Sequence, residues 1–498
     1  MPRVMLPFTV PDEKQLDDYN LSAYSKRQVN GVFTKGLSPE GEDLLLWSNR
    51  PGLTPFVDFG INAPIDGIFW WEPQQVLVVV IDGRVFYVSS DGSYQEKTGA
   101  ATMVSGVRPS FADVDGTQLF IASSGQIGVY STGAGNDGHY IADTDAPTNV
   151  THIATLNKIL IALKANTDRF YWSQVNNPEV WQVDFSSAET DTDKALGLYV
   201  ANSEIVVIGE SSFETHRDSG TTFVRELQGF LQAGIGAAYS FAKVHNSYYW
   251  LNDSREVVRR TGRKYEVVSS PYAKFVKSLG TVSDAVGYHL QVEGKNFYVI
   301  QFPTENTTLV YDIILDRWCE WGSWNSVSYD KMLVESYASC KRWGVTCAGG
   351  TDGVLYQMSY DYKTDSGVII RGLMRTDRID HGASDIRKRS KKVIFNFKRT
   401  ELSGAGDAIT MDGEIITMQG ENALFTGGAA NMSFRYRSDG VKTWRDVITI
   451  PVEKANTTEY HTELRRLGAY FSRQYEIAFE TATDVMLVSV EEEVNYGR

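Results

Sequence analysis

"QVLVVVIDGRVFYVSSDG", Gln75–Gly92, is the stretch on which the fold turns. The apolar run Val76–Ile81 stops at Asp82-Gly83, and a second strand richer in aromatics follows at once. Asp-Gly between two strand-forming runs predicts a two-residue type I′ hairpin, because both central residues must accept positive φ. The same strand, turn, strand unit recurs in "TQLFIASSGQIGVYSTG" from Thr117, "NKILIALKANTDRFYWSQV" from Asn157 and "SEIVVIGESSFETHRDSG" from Ser203. It continues in "NSYYWLNDSREVVRRTG" from Asn246, "KNFYVIQFPTENTTLVYDIILDRWCEW" from Lys295 and "WGVTCAGGTDGVLYQMSYD" from Trp343, where Asp352-Gly353 predicts a second type I′ turn. The units start roughly 40–50 residues apart, the spacing of four-stranded propeller blades.

One twisted hairpin cannot bury both of its faces, so such units gain a core only by stacking on one another. No amphipathic helical stretch alternates with the strands, which argues against an α/β enzyme. The expected class is all-β: a β-propeller of six or seven blades over residues 46–378, with ordinary β-sandwiches as the alternative. The polar "RTDRIDHGASD", Arg375–Asp385, marks a boundary. After it, residues 379–498 alternate strands and turns at shorter spacing and predict a β-sandwich-like platform module. Residues 1–45 fit neither pattern and are expected to form an extended N-terminal arm that contacts a neighbour.

Composition supports this reading. The 498 residues exceed one ordinary core. Eleven Trp, 26 Tyr and 23 Phe favour strands, and 43 Gly against 14 Pro suit many tight turns. The net charge of −14 is the wrong sign for a protein that grips nucleic acid, though an acidic wall suits a passage that DNA slides through. Cys319, Cys340 and Cys347 cannot all pair within one chain and read as buried free thiols. The N-terminus lacks the apolar core of a signal peptide, and no apolar run is long enough to span a bilayer, so folding in a cytoplasm without membrane insertion is expected.

No motif carries bond chemistry. The seven histidines (His139, His152, His216, His245, His289, His381 and His461) show no paired ligand spacing. "DVDGTQ", Asp113–Gln118, and "AETDTDK", Ala188–Lys194, lack the full calcium-loop spacing and read as solvated acidic loops. "GAGNDG", Gly133–Gly138, has no following Lys or helix and reads as a turn. "YRSDGVKTWRD", Tyr436–Asp446, resembles the Asp-box of sialidases, but it is one residue short, occurs once and lies outside the expected propeller. A sialidase would also need three clustered arginines and a nucleophile pair. Asp439, Gly440 and Trp444 are therefore expected to be a structural turn and its anchor, with Asp439 accepting backbone hydrogen bonds within the turn. Catalytic, cofactor-binding and metal residues are expected to be absent.

The strongest local charge is the run Arg387, Lys388, Arg389, Lys391 and Lys392. It could contact DNA phosphates, pair with an acidic face of a neighbouring subunit such as the Asp184–Asp193 loop, or lie on a solvated strand edge. Glu491–Glu493 near the C-terminus could meet a basic partner or face water.

Several stretches taken in order give a family resemblance. "LLLWSNRPGLTPF" (Leu44–Phe56) is similar to an Arg-Pro-Gly-Leu entry into a first blade. The stretch from Phe170 to Gly220 carries Tyr-Trp-Ser, Asn-Pro-x-x-Trp, an acidic loop and a Gly-Glu strand ending in Ser-Gly. "GIGAAYSFAKVHNSYYWLN" (Gly234–Asn252), "FPTENTTLVYDIILDRWCEW" (Phe302–Trp321), "FRYRSDGVKTWRD" (Phe434–Asp446) and "RRLG" (Arg465–Gly468) complete the set. Together the chain resembles the tail nozzle, or tail hub, proteins of short-tailed bacteriophages, also called packaged-DNA stabilisation proteins.

The resemblance implies a non-enzymatic homo-hexameric ring in the virion tail. That ring would sit below the portal and adaptor, or head-to-tail connector, ring and contact tail needle, spike or fibre proteins. It would bound a lumen through which double-stranded DNA passes without sequence reading, retaining packaged DNA and conducting it during ejection. Assembly would occur in the host bacterial cytoplasm. The alternative is a tail-associated carbohydrate-active propeller, either a sialidase-like glycosidase or a glycan-binding module.

Overall fold

The hairpin at Asp82-Gly83 folds as its sequence dictates. In the computed structural model, Val76–Ile81 pairs antiparallel with Arg84–Val88, and Ile81 lies opposite Arg84. Asp82 and Gly83 take φ of 48° and 72°. The structure describes residues 3–8, 26–37, 43–132, 138–188, 193–201, 203–220, 222–226, 229–399, 410–411, 414–415, 431–452, 459–480 and 485–497.

Around this hairpin stands one of seven four-stranded antiparallel blades found among the described residues. The first six cover residues 65–97, 110–140, 150–187, 195–225, 242–267 and 286–321. The seventh combines Val334–Cys340, Val345–Gly350 and Val354–Ser359 with Gly52–Asp58, which pairs antiparallel as its outermost strand. Each of the seven recurring sequence units lies in one blade. The Arg-Pro-Gly-Leu segment thus completes the last blade, where the resemblance implied entry into the first. This pairing joins the two ends of the propeller and closes the ring.

The continuous apolar run Val76–Ile81 is explained by its neighbours. Successive strand residues point to opposite faces. Leu77, Val79 and Ile81 pack with Leu355, Cys340 and Cys347 of the seventh blade, whereas Val78 and Val80 pack with Leu119 and Ile121 of the second. Similar apolar seams join the second blade to the third, the third to the fourth, the fourth to the fifth and the fifth to the sixth. Fully burying one such aliphatic side chain is worth about 1.5–3 kcal/mol. The three cysteines are buried and free, as expected.

One turn differs from expectation. Gly349 pairs with Leu355, and only Gly353 of the intervening turn has positive φ, at 83°. Asp352-Gly353 therefore ends a three-residue loop with Gly in the left-handed position instead of forming a type I′ turn. The Asp352 side chain accepts a hydrogen bond from Tyr356 Oη at 2.5 Å.

The chain divides into two compact units, one holding Pro51–Val368 and the other Asn20–Arg50 with Ile369–Arg498. The second unit is built of two antiparallel sheets. One runs Gly31–Leu37, Asp43–Asn49, Val485–Tyr496, Lys388–Arg399 and Glu459–Arg465, with Arg3–Met5 added on Val485–Tyr496. The other runs Arg27–Val29, Gly372–Arg375, Arg473–Phe479, Asn431–Ser438 and Ile448–Pro451. Ring contacts join them: Trp47 to Phe479 at 4.7 Å and Phe395 to Phe434 at 5.3 Å. Arg27–Val29 and Gly31–Leu37, expected as arm, are thus sheet strands, and Asp43–Asn49, which spans the expected start of the propeller, is a strand of the second unit. Gly31 and Gly372 leave the space that the Trp47 ring fills. The boundary expected at 378–379 lies at 368–369, because Gly372–Arg375 is an inner strand of the second sheet.

A Cβ on Gly83 would stand 2.5 Å from the Met103 carbonyl oxygen, whereas one on Gly106, at nearly the same φ of 73°, would meet nothing within 4 Å. Gly83→Ala is expected to destabilise the propeller by about 2–4 kcal/mol and Gly106→Ala by about 1 kcal/mol. Calorimetry on the two variants checks this; equal losses would mean that the close approach to Met103 carries no cost.

Candidate functional site

The propeller axis is the usual place to look for chemistry in this fold. Here side chains bridge it. Arg108, leading into the second blade, lies over the Tyr288 ring of the sixth at 4.3 Å and donates to Tyr288 Oη at 2.7 Å. It also donates to the Glu335 carbonyl of the seventh blade. His152 of the third blade stacks on Tyr239, which leads into the fifth, at 5.1 Å. Tyr199 donates to the Ala238 carbonyl at 2.8 Å. The Arg108 and His152 contacts join blades that are not neighbours, so they cross the centre. Burial pushes the His152 pKa down to about 4 and the Tyr288 pKa up to about 12. Both groups are uncharged near neutral pH and serve as packing.

One mouth of the axis keeps a shallow hollow of about 510 Å³, walled by the stacked pairs Phe69–Phe111 and Tyr199–Phe241. Its ionisable groups besides Tyr199 are Asp113 and Lys243. Asp113 is already engaged, accepting from Trp71 Nε1 at 2.9 Å and from Gly116 N at 2.6 Å. The neighbouring Asp115 accepts from Thr117 N and Oγ1. The loop read as solvated and acidic is therefore a self-bonded turn. Asp193 similarly accepts from the backbone of Ser211 and Ser212. Gly133–Asp137, in the predicted glycine turn, lie outside the described residues.

The basic run falls on Lys388–Arg399, an inner strand of its sheet and not an edge. Strand alternation divides it. Lys388 is fully buried, and its Nζ donates to the Ala383, Ile386 and Phe471 carbonyls, so this cation is structural. Arg387, Arg389 and Lys391 are exposed. A bulge between Ser390 and Lys392 shifts the register against Val485–Tyr496.

Opposite the bulge comes the Arg-Arg-Leu-Gly turn. Arg466 N donates to the Lys391 carbonyl and Ser390 N to the Gly468 carbonyl, with Arg466 and Gly468 at φ of 64° and 81°. The two segments enclose a concavity of about 590 Å³ lined by Arg389, Lys391, Lys392, Arg465, Arg466 and Glu493, among others. Lys392 Nζ lies 2.8 Å from Glu463 and 3.5 Å from Glu493. Hydrogen bonds from Lys392 and Arg465 hold Glu463 down at about 2. Arg389, Lys391 and Arg466 make no ion pair among the described residues. Arg465 and Arg466 were the partners that linear reading missed. Their signal was the Gly468 turn, which sends the chain back beside Lys391.

The Asp439-Gly440 turn differs in its bonding. Asp439 and Gly440 take φ of 54° and 76°. The Asp439 carboxylate reaches a different turn, accepting from Phe471 N at 2.7 Å and Ser472 N at 3.0 Å. It pins two loops together instead of closing its own. Trp444 is half-buried beside three guanidiniums, those of Arg437 at 4.5 Å, Arg435 at 4.9 Å and Arg375 at 5.5 Å. Arginines do cluster here, as a carboxylate-binding site would require. Glu476 already holds two of them, at 2.7 Å from Arg375 Nε and 2.5 Å from Arg435 Nε, and Arg437 donates to Gln474. The cluster is a filled structural site.

Glu491–Glu493 also resolve by alternation. Glu491 and Glu493 meet Arg3, and Glu493 also meets Lys392. Glu492 points into the core. Its Oε2 accepts from Tyr470 and Tyr475 at 2.7 Å each and lies 3.1 Å from His381 Nε2, while Oε1 lies 3.8 Å from Arg473 Nη1. Burial alone would push its pKa up, but hydrogen bonds from His381, Tyr470 and Tyr475 outweigh this and hold it below the ordinary 4.5. Its stabilisation is therefore complete above pH 4.5 and lost as pH falls through the folded-state value. Glu492→Gln is expected to cost the second unit about 3–5 kcal/mol at pH 7, by leaving Arg473 buried without its carboxylate. In calorimetry the gap to the parent should narrow at pH 3.5. A gap independent of pH would overturn the assignment.

Among the described residues no cluster of His, Cys, Asp or Glu could hold a metal ion, and no helix is long and apolar enough to cross a membrane. Comparison with curated proteins finds no sequence match. Among solved structures, the chain is similar to a streptogramin B lyase, at 9% identity and a TM-score of 0.43, over 62% of this chain and 98% of that one. It is likewise similar to the WD40 β-propeller domain of Doa1, at 11% identity and a TM-score of 0.41, over 62% and 97%. These likenesses are too distant to inform function. The family model described as "Bacteriophage P22 Gp10, beta-propeller" matches residues 45–363, the span that holds all seven blades. The chain belongs to this phage stabilisation family, a family of phage structural proteins.

Proposed function

We propose that the chain is a tail nozzle subunit that does no bond chemistry. Six copies form a ring below the portal and adaptor and bound the passage through which DNA leaves the capsid. The ring helps to retain packaged DNA and conducts it without reading its sequence. Tail needle, spike or fibre proteins dock on it, and assembly takes place in the host cytoplasm. The observation that carries this reading is the bridged propeller axis. Arg108, Tyr288, His152 and Tyr239 span the centre, so a passage for DNA has to be walled by several copies and cannot run through one. Seven blades buried against one another make each copy a stiff wall element. The acidic propeller suits that role, because like charge keeps phosphates from sticking.

Mass photometry of the portal-adaptor assembly tests the reading. Adding the chain should raise the mass by about 330 kDa, six chains of 55.6 kDa each. An assembly that takes up no ring would overturn it. So would release of reducing ends from sialosides or bacterial surface glycans, if a single carboxylate substitution abolished that turnover.

A further inference from the structure

The concavity between Arg389–Lys392 and Arg465–Gly468 carries charge that the described residues leave uncompensated. Glu463 and Glu493 neutralise Lys392, and Glu463 also holds Arg465 at 3.0 Å. That leaves Arg389, Lys391 and Arg466 turned on a cavity of about 590 Å³ with no ion pair among the described residues. Two of the three are guanidiniums, whose fork matches a carboxylate. A cavity of this size takes a few side chains. It does not admit a DNA duplex, and the Glu493 carboxylate at its wall repels a phosphate backbone.

The complementary charge lies in the propeller. Residues 51–368 hold 23 Lys and Arg against 36 Asp and Glu, a net of −13, while the rest of the chain is close to neutral at −1. One acidic residue there stands out. Asp184 sits on Asn177–Ser187, the last strand of the third blade, whose outer backbone edge has no neighbouring strand among the described residues. It makes no ion pair among the described residues, and it is flanked by Val183, 74% exposed, and Phe185, 43% exposed. An open edge with exposed apolar side chains is what proteins normally cover with a partner.

We propose that the concavity is a socket for the Val183–Phe185 segment of a second copy, in which Arg389, Lys391 and Arg466 bind Asp184. Socket and segment are different surfaces, so the contact is heterologous and propagates head to tail. The proposal rests on the ring reading above and names the contact that closes the ring.

The test uses full-length chains, light and heavy isotope forms mixed, assembled on the portal-adaptor complex. A carbodiimide, which joins a carboxylate to a lysine without a spacer, should link Asp184 of one isotope form to Lys391 of the other. Reversing the socket with Lys391→Glu and Arg466→Glu should weaken ring assembly by about tenfold or more. Adding Asp184→Lys to the same chain should restore most of that loss. Rings that form normally with the socket reversed, or a combined variant that recovers nothing, would overturn the pairing and leave the nozzle reading intact. A reversal that lowers duplex DNA binding but not ring assembly would reassign the socket to DNA. The parent chain failing to form rings at all would remove the nozzle reading, and this contact with it.

Discussion

A four-stranded sheet with two apolar faces is not stable alone, and the first unit of this protein is built on that constraint. The first five blades bury Val, Ile, Leu and aromatic residues on both sides, against the seventh blade at one end of the row and the sixth at the other. A row of such blades would still leave one bare face at each end. The pairing of Gly52–Asp58 with Val354–Ser359 removes those ends by tying the start of the unit to its last blade. Ladder hydrogen bonds set the register of this closure, and the Leu355 seam with Val79 and Leu77 supplies its burial. Closure of this kind is non-local: it cannot form until most of the unit is made.

The second unit is held differently. Its two sheets share an aromatic core around Trp47, Phe479, Phe395 and Phe434, but the unit also buries charge. Lys388 is surrounded by carbonyls, Arg473 lies 3.9 Å from the Tyr470 ring, and Glu492 sits among hydroxyls and His381. Buried ions with this many partners contribute less to net stability than apolar residues of the same size would. They do fix geometry, since each has one arrangement that satisfies it. The turns that carry Asp439, Phe471 and Arg466 are held by such contacts, and the Arg466 turn, to whose Leu467 carbonyl Arg473 donates, bounds the basic concavity.

The sequence was most informative where structure is local. Asp82-Gly83 declared its own turn, and "VLVVVI" announced burial on both faces because no polar residue alternates within it. The seven hairpins were legible for the same reason. Asp352-Gly353 was misread because the same dipeptide also closes three-residue loops, and only the flanking register distinguishes the two. The role of Arg27–Val29 and Asp43–Asn49 was hidden because each has a partner more than 300 residues away, as Gln28 opposite Met374 and Trp47 opposite Leu487 show. The basic run looked like a single patch. A bulge and the two faces of the strand in fact divide it into a buried Lys388, exposed arginines and a paired Lys392. Charge can be counted in a sequence, but its direction depends on register.

These two modes of construction suit different tasks. A closed propeller with a filled axis has no soft direction, because bending one blade would open the apolar seams on both of its sides. In the proposed ring it would stand beside DNA without deforming, and the net charge of −13 over residues 51–368 would keep phosphates from sticking. Attachment to neighbours needs the opposite properties: exposed charge, exact placement and contacts that can be satisfied from outside. In the proposed contact the second unit supplies one half of these features, presenting Arg389, Lys391 and Arg466 together, and the Val183–Phe185 segment of the propeller supplies the other. In the proposed ring, a stiff propeller and a second unit that presents exposed cations would let a single chain serve as both wall and joint. Neither property has to be weakened to provide the other.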